Sequence, residues 1–294
     1  MKKKLALMMA VTLTMGSLLT GCGSSNDAAQ TTTDTEAAAE ETTDDAATEE
    51  TQDAAQESSE DTQIVYAVEA GSAGEEVAQE KGFQINSVAS QADALMEVAS
   101  GTSDAAIIDL LMAGAMIGEG TSYPNLTHTD ELTTEEYGVG CRKGSDLASF
   151  INSVFAESYA DGSMLETATT YGVQEALVEQ SESEFTEAET DSDVAYIKDK
   201  GTLIVGITDF APMDYKDESG EWIGFDADMA RMVAEKLGVE AQFVEIDWDN
   251  KIMELESKNI DVVWNGMTLT SEVTEAMECT NAYCNNAQVI VVAQ

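Results

Sequence analysis

Basic side chains are scarce: 13 Lys and Arg stand against 57 Asp and Glu, a formal net charge of −44. A chain this acidic repels DNA, RNA and anionic lipid surfaces, so no nucleic-acid partner is expected. Histidine occurs once, as His128 in the polar stretch YPNLTHTDEL. No Ser/His/Asp set, zinc-ligand spacing or phosphate-binding glycine loop accompanies it, so neither an enzyme nor a metal or other cofactor is expected. The apolar run Leu5 to Leu18 is too short to cross a bilayer comfortably. Residues 23–62 contain no aromatic and no basic side chain. Such a stretch buries too little apolar surface to offset chain entropy, so a disordered, charge-extended spacer is expected there. Beyond Cys22 there are three cysteines, Cys141, Cys279 and Cys284, an odd number that cannot all pair within one chain. Cys279 and Cys284 are near enough in sequence to bridge, with free buried thiols as the other reading.

What is present begins with a leader. Lys2, Lys3 and Lys4 precede the apolar run, which closes on LLTGC, Leu18 to Cys22. This resembles the lipobox of bacterial lipoproteins. The resemblance implies a lipoprotein signal segment, residues 1–22, cleaved ahead of its cysteine so that the product begins at Cys22, diacylated on sulfur and held on the outer face of a membrane. An ordinary signal peptide with a coincidental cysteine is the alternative.

From Gln63 the pattern becomes that of a fold. IVYAV (Ile64 to Val68) reads as a strand, and Ser72 with Glu75 has capping-box spacing at a helix start. SQADALMEVASG predicts a helix capped by Ser90, with Ala92, Leu95, Met96 and Ala99 on one face and Gly101 as stop. DAAIID, Asp104 to Asp109, is a short buried strand, and Asp146 to about Tyr159 an amphipathic helix. Residues 178–193 are acidic and polar, read as an internal linker, with a short helix as the alternative. GTLIVGI is a strand, and GFDADMARMVAEKLG is a helix stopped by Gly238. AQFVEI, IDVVW and the terminal AQVIVV are further strands. Alternation of strands and helices on both sides of the linker predicts an α/β architecture with largely parallel sheets.

The segment GTLIVGITDFAPMDYKDESGEWIGFDADMARMVAEKLGV, followed by IDWDNKIMELESKNIDVVWNGMTLTSE and NAYCNNAQVIVV, resembles the first lobe of the polar amino-acid-binding proteins of ABC importers. IVYAVEAGSAGEEVAQEKG, SQADALMEVASGTSDAAIID and EEYGVGCRKGSDLASFINSVFAESYADGSM resemble the second lobe of the same family and its return crossing. The resemblance implies a two-lobed periplasmic-binding-protein fold of the Venus-flytrap type. It implies a small-molecule solute, an amino acid or related amine, as ligand and an ABC permease as partner. The two lobes stand in reversed order, as a circular permutation would leave them. The expected division is 63–137 as lobe 2, 138–177 as return crossing and helices packing on lobe 1, 178–193 as linker, and 194–294 as lobe 1 ending in a hinge strand. A truncated tandem of two half-proteins is the alternative, and it would expose large apolar edges.

Carried onto these residues, the resemblance implies a ligand site. On the first lobe, Asp209 and Phe210 lie in the TDFAPM loop, with Phe210 as the ring that packs on the ligand. Trp248 is a second aromatic cleft position or a lobe-surface residue. Trp264 precedes the turn in which the carbonyl of Gly266 and the hydroxyl of Thr268 meet the ligand, and Thr270 is a contact or a helix cap. On the second lobe, Ser72 offers a helix N-terminus to an anion, and Asp109 takes an ammonium. Val273 stands where the family has an arginine for the ligand's carboxylate, and Ala73 where a second hydroxyl is common. Arg142 is expected to face away. Two rival functions follow: a surface receptor without a transport role, and a dehydratase-like enzyme on the same fold.

Overall fold

The computed structural model describes residues 63–294. The leader, Cys22 and the acidic spacer lie outside the described residues. In chain order, β1 (Val65–Glu69), α1 (Ala73–Glu80), β2 (Gln84–Val88), α2 (Gln91–Ser100), β3 (Ala105–Asp109), α3 (Leu110–Met116) and β4 (Leu126–Glu131) come first. β5 (Glu135–Cys141), α4 (Leu147–Asp161), α5 (Ser163–Tyr171) and α6 (Asp193–Lys200) follow. Then come β6 (Thr202–Ile207), the hairpin β7 (Tyr215–Lys216) and β8 (Trp222–Ile223), α7 (Phe225–Leu237), β9 (Glu240–Glu245) and α8 (Lys251–Glu256). The chain closes with β10 (Val262–Thr268), α9 (Ser271–Ala276), β11 (Glu278–Cys279), β12 (Cys284–Asn286) and β13 (Gln288–Ala293).

These elements build two lobes, each around one mixed sheet. The first sheet has the order β2-β1-β3-β13-β4, and the second β11-β5-β10-β6-β9, with β12 also on β5. In the first, β1 runs parallel to β2 and β3, while β13 is antiparallel to β3 and β4. In the second, β6 is parallel to β9 and β10, while β5 is antiparallel to its neighbours. The backbone crosses between the sheets twice: at residues 132–134, from β4 to β5, and at Ala287, from β12 to β13. The terminal strand is therefore seated in the sheet of the sequence's first block, with Val289 opposite Ile108 and Val291 opposite Ala106, both valines buried. A β-branched run at the sheet's interior has every ladder group paired, which is why it tolerates full burial.

Local chemistry explains the element ends. Ser72 Oγ accepts the Glu75 N–H at 3.1 Å, and Glu75 Oε2 accepts the Gly71 N–H at 2.7 Å, one residue upstream of the usual capping-box partner. Ser90 caps α2 through the Asp93 N–H at 3.1 Å. The buried face of α2 is Gln91, Ala94, Leu95 and Val98, and Met96 is 54% exposed. The apolar residues Ala92, Met96 and Ala99 were expected on the inner face. A spacing of three and four from Gln91 puts 94, 95 and 98 there instead, so an amide outranks a thioether because of what it bonds at the site. Residues 178–190 form neither helix nor strand. They are nevertheless packed: Phe185 meets Phe150 edge-on at 5.1 Å, and Asp146 accepts hydrogen bonds from Ser192 Oγ at 2.6 Å and from the Ala188 and Val194 N–H groups at 3.1 Å. Among the described residues Cys141, Cys279 and Cys284 are all free thiols, and burial pushes each up from its ordinary pKa.

Candidate functional site

Between the two lobes lies a cavity of about 270 Å³. Its walls are the ends of strands and the starts of helices. From the first sheet come Glu69 at the end of β1, Gly71, Ser72 and Ala73 entering α1, Gln91 at the start of α2 and Asp109 at the end of β3. From the second come Trp248, Asp249 and Lys251, the end of β10 from Asn265 to Thr268, and Thr270, Glu272 and Val273 entering α9. In an α/β sheet, side chains beyond strand ends escape the ladder and are free to face a ligand.

The lobes touch at the cavity's edge. A Cβ on Gly71, which sits at φ +71°, would lie 2.7 Å from the Cα of Asp249. Only glycine permits that approach. Lys251 Nζ donates to the Gly71 carbonyl at 2.7 Å and to the Trp248 carbonyl at 3.3 Å. Its ammonium also lies 5.1 Å from the Trp248 ring centroid.

Six acids line the cavity: Glu69, Glu75, Glu76, Asp109, Asp249 and Glu272. Among the described residues, Lys251 is the only basic side chain lining it. Glu69 is 3% exposed, and its Oε1 has no hydrogen-bond partner. Burial, and after it the charge of Asp109, raises its pKa to about 8. Asp109 is raised to about 7 by burial and by the charge of Glu135. Burial lowers Lys251.

Asp109 is held by the protein itself. Its Oδ1 accepts from Tyr137 OH at 2.7 Å, from Gln288 Nε2 at 3.0 Å and from Asn286 Nδ2. Its Oδ2 accepts from Gln91 Nε2, and its own N–H donates to Gln91 Oε1 at 2.9 Å. Glu135 Oε2 accepts from the same two amides, Asn286 at 3.3 Å and Gln288 at 3.0 Å, and from Thr268 Oγ1 at 3.0 Å. Tyr137 and Glu135 lie on β5 after one crossing, and Asn286 and Gln288 flank the other. This network ties both crossings to the cavity wall.

Of the residues expected at the site, Ser72, Asp109, Trp248, Gly266 and Thr268 line the cavity. Asp209, Phe210 and Trp264 are not among its lining residues. Phe210 is 2% exposed and lies under Gly266, its ring edge-on to Tyr137 with centroids 6.3 Å apart. It supports the floor from below, because a large ring at the end of a buried strand gains more by packing than by reaching the cleft. Trp264 is fully buried against Phe155 and Tyr283, at 5.6 and 6.4 Å between centroids. Alternation along β10 sends it to the core face. Asp209 is exposed, and burial with the charge of Glu245 raises its pKa. Thr270 caps α9 through the Val273 N–H at 3.3 Å. Arg142 faces away from the cavity, bonded to Asp193 at 2.9 Å, to the Ile260 carbonyl at 3.0 Å and to buried Asp261 at 3.4 Å.

Sequence reasoning missed Glu69, Lys251, Gln91 and Asn265. For Glu69 the signal was present: VYAVE ends in an acid as AAIID does. Asn265 exchanges two hydrogen bonds with Thr208, at 2.8 and 2.9 Å, and so orients the end of β10. No local pattern marks such a pair 57 residues apart.

Residues 203–294 match bacterial extracellular solute-binding proteins, family 3. The L-cystine-binding protein TcyJ of Escherichia coli (strain K12) is 34% identical over 30% of this chain and 33% of its own. The arginine-binding extracellular protein ArtP of Bacillus subtilis is 34% identical over 31% of this chain and 36% of its own. The cyclohexadienyl dehydratase of Pseudomonas aeruginosa is 34% identical over 26% of this chain and 29% of its own. A crystal structure of the arginine-bound form of domain 1 from TmArgBP is 32% identical, covering 34% of this chain and 85% of that one at a TM-score of 0.27. The chain spans about a third of the length of the curated relatives it matches.

Proposed function

We propose that this chain, whose residues 203–294 match the bacterial extracellular solute-binding proteins of family 3, captures an amino acid or a related amine-bearing solute between its lobes and delivers it to an ABC permease. The carrying observation is the cavity walled from both sheets, with two short crossings between them. A ligand that contacts both walls stabilises their closed arrangement, and only the ligand's differential affinity for the closed state drives the motion. No bond is made or broken.

In this reading residues 194–294 form the first lobe and 63–137 the second. Residues 138–177 return to the first, and 178–193 join what are chain ends in the family, so the lobes are circularly permuted. The seat of β13 between β3 and β4 supports this arrangement, since it completes one sheet from both halves of the sequence. The location is extracytoplasmic, with Cys22 as a lipid anchor. A mass for the membrane fraction that includes a diacylglycerol on Cys22 is expected, and an unmodified Cys22 would remove the anchor from the reading.

The solute role is tested by thermal unfolding of the chain against amino acids, amines and short peptides. A solute at a hundredfold excess over its Kd adds about 2.7 kcal/mol of stability. At least one member of the panel is expected to shift the transition. A flat response across it would favour a surface receptor that has lost its solute. Turnover of a bound solute would favour the dehydratase reading, which the match to a dehydratase brings to mind.

A further inference from the structure

The cavity treats the two signs of charge unequally. The groups on its walls that could hold a carboxylate are few and largely committed to the protein. Ser72 Oγ accepts the Glu75 N–H at 3.1 Å, so the entrance of α1 is already capped, and Glu75 and Glu76 follow it in the first turn. An anion placed there would meet two carboxylates before it met the helix dipole. Thr268 Oγ1 donates to Glu135 at 3.0 Å. Val273, 4% exposed, presents an apolar side chain. Lys251 has two of its three donors on the carbonyls of Gly71 and Trp248.

Cation-seeking groups, by contrast, stand on both walls: Glu69 on one, Asp249 and Glu272 on the other. Glu69 stands out because it is 3% exposed and its Oε1 is bonded to nothing. A buried carboxyl oxygen without a donor costs the fold free energy, and a ligand ammonium that supplied that donor would recover it. Burial, and after it the charge of Asp109, raises Glu69 to a pKa of about 8 although the Thr208 and Gln91 side chains bond the carboxyl, so an arriving ammonium at Oε1 would ionise it and form a charge-assisted pair.

We propose that the ligand is a short dicationic amine without a carboxylate, a diamine, with one ammonium on Glu69 and the other on the acids of the facing wall. This rests on the solute-binding reading above and narrows it. The cavity of about 270 Å³ suits a ligand of this size, being at the small end of ligand sites. A diamine needs no carboxylate clamp, and the acid-lined walls would draw it in by long-range attraction.

Cadaverine and lysine differ only in the carboxylate, so the pair isolates the claim. Isothermal titration and thermal unfolding of the full chain with each are expected to give cadaverine at least tenfold tighter binding than lysine. Equal or tighter binding of lysine overturns the diamine while leaving the solute role standing. Failure of both, together with a flat response to the wider panel, overturns both readings. Glu69→Gln keeps the shape and removes the charge. It is expected to weaken cadaverine at least tenfold while the unliganded variant melts no lower than the original. Unchanged cadaverine affinity in that variant overturns the role of Glu69.

Discussion

Asp109→Ala is expected to destabilise the protein by about 3–5 kcal/mol, a large share of the stability of an ordinary domain. Four side-chain donors converge on this carboxyl: those of Gln91, Tyr137, Asn286 and Gln288. Alanine leaves them buried without their acceptor, and each orphaned donor costs about 1–3 kcal/mol unless a neighbour takes it over. Glu135 already shares Asn286 and Gln288, so the total falls short of four full penalties. Urea unfolding would measure it, and a loss below 1 kcal/mol would remove Asp109 from the centre of the hinge network. The variant also changes the pH profile. The folded state holds Asp109 at about 7 and Glu69 at about 8, whereas the unfolded chain releases these protons near pH 4. Below about pH 4 both states are protonated and the contribution is whole. Between there and pH 7–8 the folded state keeps protons that the unfolded state has lost, so stability falls as pH rises, and it levels off above. The wild type is expected to melt progressively lower from pH 5 to pH 8, and Asp109→Ala to fall less steeply. A wild-type melting temperature that rises across this range would contradict the burial of both acids. For the same reason Asp109 is a poor probe of the solute: its alanine variant disturbs the hinge whether or not it touches the ligand, and Glu69→Gln is the cleaner test.

Gly266→Ala should cost about 2–5 kcal/mol and weaken solute binding more than tenfold. Gly266 sits at φ +55°, and a Cβ there would lie 2.3 Å from Cε1 of Phe210 and 3.0 Å from Cε2 of Tyr137. Two penalties add: about 1–2 kcal/mol for a non-glycine residue in the left-handed region, and about 1–3 kcal/mol for overpacking. Phe210 and Tyr137 are both buried, so neither ring can swing into solvent to make room. The Gly266 N–H donates to Asp226 Oδ2 at 2.6 Å, and displacing the backbone breaks that bond as well as moving the cavity wall. Gly101→Ala is the control: it has φ +76° but nothing within 4 Å of the added carbon. It isolates the backbone term, at about 1 kcal/mol. Similar losses for both variants would mean that contact with Phe210 and Tyr137 contributes nothing.

Capping, turn and strand signals were legible because they are local. Ser72, Ser90 and Gly101 act at the helix ends that their types and spacing announce, and in VIVV Val289 and Val291 are buried while Ile290 and Val292 are half-buried. An apolar strand closing on an acid singled out Asp109, which lines the cavity, and the same pattern describes Glu69, which lines it too. Three assignments depended on which way a side chain turns. Phe210 and Trp264 turned to the core and Asp209 to solvent, because packing against Tyr137, Phe155 and Tyr283 outweighs a place in a wet cleft.

By itself, then, the amino-acid order determined the elements, the α/β class, the acidic character of the chain and the strand ends from which a site would be built. These depend on propensity, periodicity and charge within a few residues. The folded arrangement alone decided that Asp109 is saturated, that Glu69 is not, and that Lys251 is bound to carbonyls across the cleft. Whether a carboxyl is available to a ligand depends on which donors meet it, and those donors come from positions up to 179 residues away.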